Sequence, residues 1–232
     1  MTKLIRSLEN LLFPRYCAGC GIRLALCEAL VCPSCTLRME REQICDWSLT
    51  PMIKNFAATG CVPRCGNFVR FRRHSIVANI VHNLKYYRQH QLGAWMGYLA
   101  ATELAETHLF DDIDLLIPIP LSLRRRLQRG YNQSALIAQG ISEVIHIPVR
   151  DDLLLRPTTG ESQTHFTIIE RMQRGMKMFR LAPNADVILS GLHIMLVDDV
   201  LTTGTTMRAA IEVLSAVPSI TIVPFAWSRA TS

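Results

Sequence analysis

Short apolar runs alternate along the chain with longer segments in which apolar residues recur every three or four positions, as they do along one face of a helix. The clearest pair lies near the C-terminus, where the apolar run 194–197 predicts a buried strand and a helical pattern begins at Met207. The same two patterns predict strands or extended segments at 68–73, 113–117, 149–155, 179–181 and 220–225, and helices at 3–13, from about 75, at 91–108 and from about 132. Strands that alternate with helices predict an α/β fold with a doubly wound, mostly parallel sheet.

Composition and charge indicate which kind of partner and which cellular location to expect for this protein. The chain has 232 residues, a net charge of +6 and a pI near 9.0, and this charge favours an anionic partner such as nucleic acid or phosphate. No apolar run approaches the roughly eighteen residues of a membrane-spanning helix, and Glu9 and Asn10 interrupt the apolar stretch that a signal peptide would need. We therefore expect a cytoplasmic protein, and a peripheral contact with a membrane is left open.

Four cysteines near the N-terminus stand in two C-x-x-C pairs. Cys17 and Cys20 form the first pair, and Cys32 and Cys35 form the second after eleven intervening residues. Each pair places two thiolates on one tight turn, and two such turns complete a tetrahedral zinc site. Because four thiolates leave no open coordination position, this zinc is expected to be structural rather than catalytic.

The remaining cysteines do not complete a second site of this kind. Cys45 stands alone, and Cys61 and Cys65 are one residue too far apart for the usual pair. A second zinc would need Cys27 or a histidine as its fourth ligand, so it stays an open alternative. We expect two domains, residues 1–66 with an N-terminal helix and the zinc-knuckle region, and residues 67–232 with the sheet.

Carboxylates and hydroxyls follow the apolar run at 194–197. The first-turn N–H groups of a helix have no partner within the helix and favour an anion, and Gly204 lets the backbone approach that anion closely. The neighbouring carboxylates would repel a phosphate, so they should face sugar hydroxyls or a divalent cation. The residues predicted to bind a sugar phosphate are Asp198, Asp199, Thr202, Thr203, Gly204, Thr205 and Thr206. The alternative is an ordinary capped helix.

Arginines cluster after the predicted strand 113–117, where ligands bind in open α/β sheets. Basic residues interleaved with aromatic ones are typical of proteins that bind single-stranded nucleic acid. The residues predicted to contact DNA are Arg70, Arg72, Arg73, Arg88, Arg124, Arg126 and Tyr131. The alternative is that aromatic residues of this region, such as Phe68, Phe71 and Tyr86, belong to the core.

The segment 194–206 resembles the phosphoribosyl-pyrophosphate (PRPP) motif of type I phosphoribosyltransferases. This resemblance implies a fold of that kind, in which Asp198 and Asp199 hold the ribose hydroxyls and residues 202–206 hold the 5′-phosphate. Over nearly the whole chain, the paired C-x-x-C knuckles, the V-H-x-L-K-Y segment at 81–86, a P-I-P loop, an R-G-Y-N-Q box at 129–133 and the PRPP motif occur in one order. That order resembles the ComF (GntX) family of competence proteins.

The family resemblance implies a role in natural transformation, in which incoming single-stranded DNA is handled in the cytoplasm, at or near the inner membrane. It implies structural zinc and possible use of Mg²⁺ with PRPP. A competence helicase or an inner-membrane DNA channel would be the protein partner. The resemblance places a pyrophosphate loop at Pro118, Ile119 and Pro120. This chain departs from the family in the widened Cys61/Cys65 pair and at Arg174, where Asn is common.

Two other functions are open at this level. The first is an active phosphoribosyltransferase of nucleotide or base salvage, in which cations stabilise the departing pyrophosphate. Its candidate catalytic residues are Asp198, Asp199, Lys85, Arg125 and Arg129, although no motif predicts a pocket for a nucleobase. The second is a zinc-knuckle module that docks to a helicase or a membrane channel.

Overall fold

The structure, a computed structural model, describes residues 14–42, 48, 53, 56, 60–157 and 178–230. In chain order its elements are α1 (Pro33–Arg38), β1 (Gly66–Phe71), α2 (Ile76–Tyr86), α3 (His90–Leu104), β2 (Leu115–Pro118), α4 (Leu123–Arg129), α5 (Gln133–Ile145), β3 (Leu154–Leu155), β4 (Arg180–Leu181), α6 (Ala185–Leu189), β5 (His193–Leu201), α7 (Thr205–Leu214) and β6 (Thr221–Ala230). The predicted helix at 3–13, Cys45, and the helix predicted around Arg171 and Arg174 lie outside the described residues.

A four-stranded sheet with the order β1–β6–β5–β2 forms the centre of the fold, and all three pairings are parallel. Val149 adds a parallel bridge to Leu116 at one edge, and Arg41 adds an antiparallel bridge to Val69 at the other. The predicted mostly parallel sheet is therefore confirmed. Because parallel strands end on the same side, the last residues of the four strands share one edge of the sheet.

Helices cover both faces of the sheet, as predicted for a doubly wound fold. Met195 and Val197 of β5 belong to the apolar cluster that contains α2, α3 and α5, whereas Ile194 and Leu196 belong to the cluster that contains α6 and α7. Alternate residues of a strand point to opposite faces, so a strand that is buried on both faces is continuously apolar. This is why the run 194–197 shows no alternation.

The cysteine-rich segment packs directly against this framework. Cys17, Cys32 and Cys35 belong to the same apolar cluster as α2 and one face of the sheet. The side-chain amides of Asn79 and Asn83, both on α2, donate hydrogen bonds to Gly19 O at 2.8 Å and Ala18 O at 3.0 Å. The zinc-knuckle region is thus joined to the sheet through helix α2.

The structure differs from the sequence-based expectation in several elements, which include the unpredicted short helices α1 and α6. The strand predicted at 149–155 is reduced to the bridge at Val149 and the two-residue strand β3. Strand β5 continues four residues beyond the apolar run, so Asp198 and Asp199 lie within it. Helix α4 was not predicted, because none of its residues is buried and it therefore carries no apolar stripe.

Candidate functional site

The two acidic residues near the end of β5 are held in place by hydrogen bonds. The backbone N–H of Asp199 donates to Asp198 Oδ1 at 2.8 Å, and the backbone N–H of Val200 donates to Asp199 Oδ1 at the same distance. Ser134, in the first turn of α5, donates from its hydroxyl to Asp198 Oδ1 at 3.0 Å. The carboxylates are therefore positioned before any ligand arrives.

A lysine from α2 completes this acidic site. Lys85 Nζ lies 2.8 Å from Asp199 Oδ2, and the two side chains are only 21% and 13% exposed. Asp199 has the same strand parity as Met195 and Val197, which pack in the cluster that contains α2. The alternation of β5 thus directs Asp199 toward the helix that carries its counter-ion.

The pKa of one member of the acidic pair is shifted far from its ordinary value. Burial and the neighbouring charge of Asp199 raise the pKa of Asp198 to about 7, although the Asp199 N–H, the Ser134 hydroxyl and Lys85 act in the opposite direction. Two neighbouring carboxyl groups resist losing both protons, because the second negative charge is repelled by the first. A proton at Asp198 is therefore exchanged near neutral pH.

The threonine turn is open to solvent. Thr202, Thr203 and Thr205 are exposed, and the hydroxyls of Thr203 and Thr205 lie 3.0 Å apart. Gly204 caps α7 with φ 75°, a left-handed conformation that other residues adopt at a cost in strain. The turn therefore presents hydroxyls and the free N–H groups of a ten-residue helix on one accessible surface.

The R-G-Y-N-Q box joins the other predicted motifs. Tyr131 is buried, and its hydroxyl donates to Leu84 O of α2. Asn132 accepts a hydrogen bond from the Ser134 N–H at 3.3 Å, and its amide donates to Ile119 O of the P-I-P loop at 3.0 Å. One short segment thereby fixes the P-I-P loop, the end of α2 and the hydroxyl that reaches Asp198.

The arginines near this box differ in how they are held. Arg129 donates to Gln133 Oε1 at 2.8 Å, and its guanidinium carbon lies 5.9 Å from the centre of the Tyr86 ring. Arg125 is exposed on α4. Arg156 is half-buried with its guanidinium 5.3 Å from the Phe179 ring centre.

Arg156 belongs to the charged site, although sequence reasoning did not select it. Burial and the nearby charge of Arg125 lower the pKa of Arg156, and Asp198 acts in the opposite direction. Arg156 is thus within electrostatic range of both Arg125 and Asp198. The feature of the sequence that could have identified Arg156 is its position, because it directly follows the strand predicted at 149–155.

The four predicted zinc ligands meet in the fold. All of their sulfur atoms lie within 4.8 Å of one another, and those of Cys20 and Cys32 are 3.8 Å apart. A tetrahedral zinc with bonds of about 2.3 Å places its sulfurs about 3.8 Å apart, so the donor set fits this metal. Although burial opposes it, backbone N–H groups that include those of Cys32 and Gly19 lower the pKa of Cys17 to about 7. The four cysteines are therefore able to bind a metal such as zinc.

Gly19 makes this compact arrangement possible, because an added Cβ would lie 2.9 Å from Cys35 Sγ. Cys27 is exposed and lies outside the cluster. Among the residues that the structure describes, no second group of three candidate ligands was found.

Comparison with known proteins identifies relatives over most of the chain. DNA utilization protein YhgH of Escherichia coli O157:H7 is 28% identical over 216 residues, which cover 87% of this chain and 91% of the relative. Competence protein F of Haemophilus influenzae is 32% identical over 117 residues, which cover 50% of this chain and 51% of that protein. Competence protein ComFC of Bacillus subtilis is 34% identical over 100 residues, which cover 43% and 38% of the two chains.

The chain is therefore homologous to proteins named DNA utilization protein YhgH, competence protein F and competence protein ComFC. No family model matches it. Among solved structures, glutamine PRPP amidotransferase from Bacillus subtilis matches with a TM-score of 0.42 and 17% identity, over 61% of this chain and 30% of that one. In the described part of the chain, no helix is both long and apolar enough to cross a membrane.

The predicted DNA-contact residues have different environments. Arg70 pairs with Glu40 at 3.1 Å and with Glu42 at 3.3 Å, and Arg72 pairs with Glu40 at 3.2 Å. The exposed arginines of this set are Arg72, Arg73, Arg88, Arg124 and Arg126. Tyr131 is only 9% exposed, so its ring faces the interior in this conformation.

Proposed function

We propose that this protein handles incoming single-stranded DNA during DNA uptake, through a phosphoribosyltransferase-like domain with a sugar-phosphate site and a structural zinc knuckle. The observation that carries the proposal is the set of relatives. Proteins that match 87% of the chain are named DNA utilization proteins, and two relatives that match a shorter part of it are named competence proteins. The same names favour DNA handling over nucleotide salvage.

The geometry of the acidic site supports a ribose phosphate as its small ligand. The hydroxyls of the threonine turn and the first N–H groups of α7 are available to a phosphate, while Asp198 and Asp199 accept hydrogen bonds from ribose hydroxyls. Lys85 and Ser134 hold the carboxylates in position. PRPP is the ligand implied by the motif, and a magnesium ion bound with it stays a prediction.

Exposed arginines supply the contacts to the DNA backbone. Arg124 and Arg126 lie on α4, which has no buried residue, and Arg88 lies two residues after the end of α2. We expect these cations to bind phosphates, and Arg73 to extend their surface. The bound zinc would hold the knuckle, while a helicase or an inner-membrane DNA channel would be the partner of a cytoplasmic protein.

Salt dependence tests the DNA contact. Titration of a labelled single-stranded oligonucleotide at several salt concentrations should give a log–log slope near −3.5 if about five phosphates are engaged at roughly −0.7 each. The double variant Arg124→Ala/Arg126→Ala should reduce the magnitude of that slope by about 1.4, since two phosphate contacts are lost. Arg180→Ala, an exposed arginine of β4, is the matched control and should leave the slope unchanged. A flat salt response of the parent protein would overturn the proposal.

Ligand binding and catalysis are tested separately. Calorimetry with PRPP and Mg²⁺ should detect binding that Asp199→Asn weakens. Release of pyrophosphate in the presence of a panel of nucleobases, abolished by the same substitution, would instead favour an active phosphoribosyltransferase.

A further inference from the structure

We propose that Tyr86, Tyr87 and His82 form a platform on which the bases of single-stranded DNA stack at the C-terminal end of α2. This inference rests on the proposed function and specifies where the DNA bases bind. It also assigns a role to three rings that take no part in the acidic site.

The first observation is the exposure of these rings. Tyr86 is 55% exposed and Tyr87 is 64% exposed, and His82 is exposed as well. The opposite side of α2 is buried, through Val77, Ile80, Val81 and Leu84. The three rings therefore contribute to the surface of the protein and not to its core.

The other aromatic residues of the basic region do not share this exposure. Phe68 is 2% exposed, and its ring centre lies 6.1 Å from that of Trp227 at a tilt of 55°. Tyr131 is 9% exposed, with its ring centre 4.2 Å from that of His90. Neither ring has a free face for a base. The structure thus divides the predicted aromatic residues into core members and surface members, which the sequence could not do.

The three exposed rings lie together. The ring centres of His82 and Tyr86 are 4.8 Å apart, and those of His82 and Tyr87 are 5.8 Å apart. Each pair is tilted, by 43° and 57°. These distances are within the range of interacting aromatic pairs, so the rings form one continuous aromatic surface.

Two arginines lie beside this platform and provide the positive charge that a polyanion requires. The Arg129 guanidinium lies 5.9 Å from the Tyr86 ring centre and is oriented by Gln133, and Arg88 immediately follows Tyr87. Proteins that bind single strands combine stacked bases with cations along the phosphate backbone. This positive charge therefore favours a nucleic acid, rather than an apolar protein segment, as the partner that binds the platform.

The platform also borders the sugar-phosphate site. Lys85, the residue before Tyr86, binds Asp199 at 2.8 Å. The end of α2 thus carries the counter-ion of the acidic pair and the first ring of the platform side by side.

The test compares two oligonucleotides with the same number of phosphates, oligo-dT and an abasic strand, by fluorescence anisotropy at fixed salt. We expect the parent protein to bind oligo-dT at least about fivefold more tightly, since a stacked base contributes about 1–3 kcal/mol. Tyr86→Ala/Tyr87→Ala should lose this preference while keeping the affinity for the abasic strand. Tyr86→Phe/Tyr87→Phe should retain it, because both rings remain.

The control is Tyr98→Ala, since Tyr98 is a tyrosine of α3 with a similar exposure of 51%. It should leave the preference for oligo-dT intact. Equal binding of both strands by the parent protein, or an unchanged preference in the double alanine variant, would overturn the platform but not the proposed function. Failure of the parent to bind either strand would overturn both.

Discussion

At the scale of single residues, the acidic site depends on one ion pair. Lys85 and Asp199 are both mostly buried, and their charges are 2.8 Å apart. Removing one partner of a buried pair leaves the other charge without compensation in a poorly solvated position. The pair therefore matters to folding as well as to ligand binding.

We predict that Lys85→Met lowers the free energy of unfolding by about 3 kcal/mol, because it leaves the Asp199 carboxylate uncompensated. Urea denaturation measures this effect. The matched control is Arg150→Met, which breaks the exposed pair with Asp152 and should cost less than about 1 kcal/mol. Similar small losses in both variants would contradict the prediction.

Asp198 makes stability depend on pH. Its folded-state pKa of about 7 lies above the ordinary value of 3.8, so the folded protein binds more protons than the unfolded chain between these values. The contribution of Asp198 to stability is therefore fully present at the acidic end of this range and is lost as the pH rises through about 7.

We predict that Asp198→Asn removes this dependence. The variant should be more stable than the parent at pH 8, by an amount on the order of 2 kcal/mol after allowance for solvent screening, and the difference should shrink as the pH falls toward 4. Thermal melts of both proteins across this range measure the difference. A difference that stays constant with pH would show that Asp198 titrates normally.

At the scale of elements, helices α3 and α5 approach each other very closely. A Cβ atom at Gly97 would overlap the carbonyl oxygen of Ile137, and one at Gly140 would overlap the carbonyl oxygen of Ala94. The two glycines thus let the backbones of the helices touch. This contact holds α5, and with it Ser134, in a defined position beside the sheet.

We predict that Gly140→Ala destabilises the protein by about 3 kcal/mol or more, because the overlap is with backbone and cannot be relieved by a side-chain rotation. Gly130→Ala is the comparison. Gly130 has φ 83° but open space around it, so its substitution should cost only about 1 kcal/mol of backbone strain. Chemical denaturation of the two variants should preserve this order.

Helices and strands were predictable from the sequence where their apolar residues form a regular pattern. Helix α2 begins after Ser75, whose hydroxyl accepts a hydrogen bond from the Ala78 N–H at 3.1 Å, as the sequence indicated. Helix α4 was missed because Leu123 and Leu127 are exposed among arginines. A helix without a buried face needs no apolar stripe, so its sequence shows no periodic apolar pattern.

At the scale of the whole molecule, the cysteine-rich segment is part of the main core. Its cysteines share an apolar cluster with α2, and Asn79 and Asn83 bind its backbone carbonyls. The C-terminal end of the same helix carries Lys85 and the exposed rings of the platform. A change at the four candidate metal ligands should therefore alter the stability of α2.

We predict that Cys32→Ser, which removes one of the four sulfurs, increases hydrogen exchange in residues 15–40 and in α2, while β5 and β6 remain protected. Hydrogen-exchange mass spectrometry checks this. Cys27→Ser is the control, because Cys27 is exposed outside the cluster and should have no effect. Loss of protection throughout the sheet would show that the protein has no separable folding units.

The sequence by itself determined which residues are candidates for the chemistry and, where apolar periodicity was strong, which elements carry them. The acidic pair, the threonine turn and the paired cysteines are local patterns, so spacing alone predicted their arrangement. Only the tertiary structure decided that Lys85 meets Asp199, that Tyr131 is buried and that Tyr86 and Tyr87 are exposed. These outcomes depend on how elements distant in the sequence pack, and a side chain's burial is a property of its neighbours rather than of its own position in the chain.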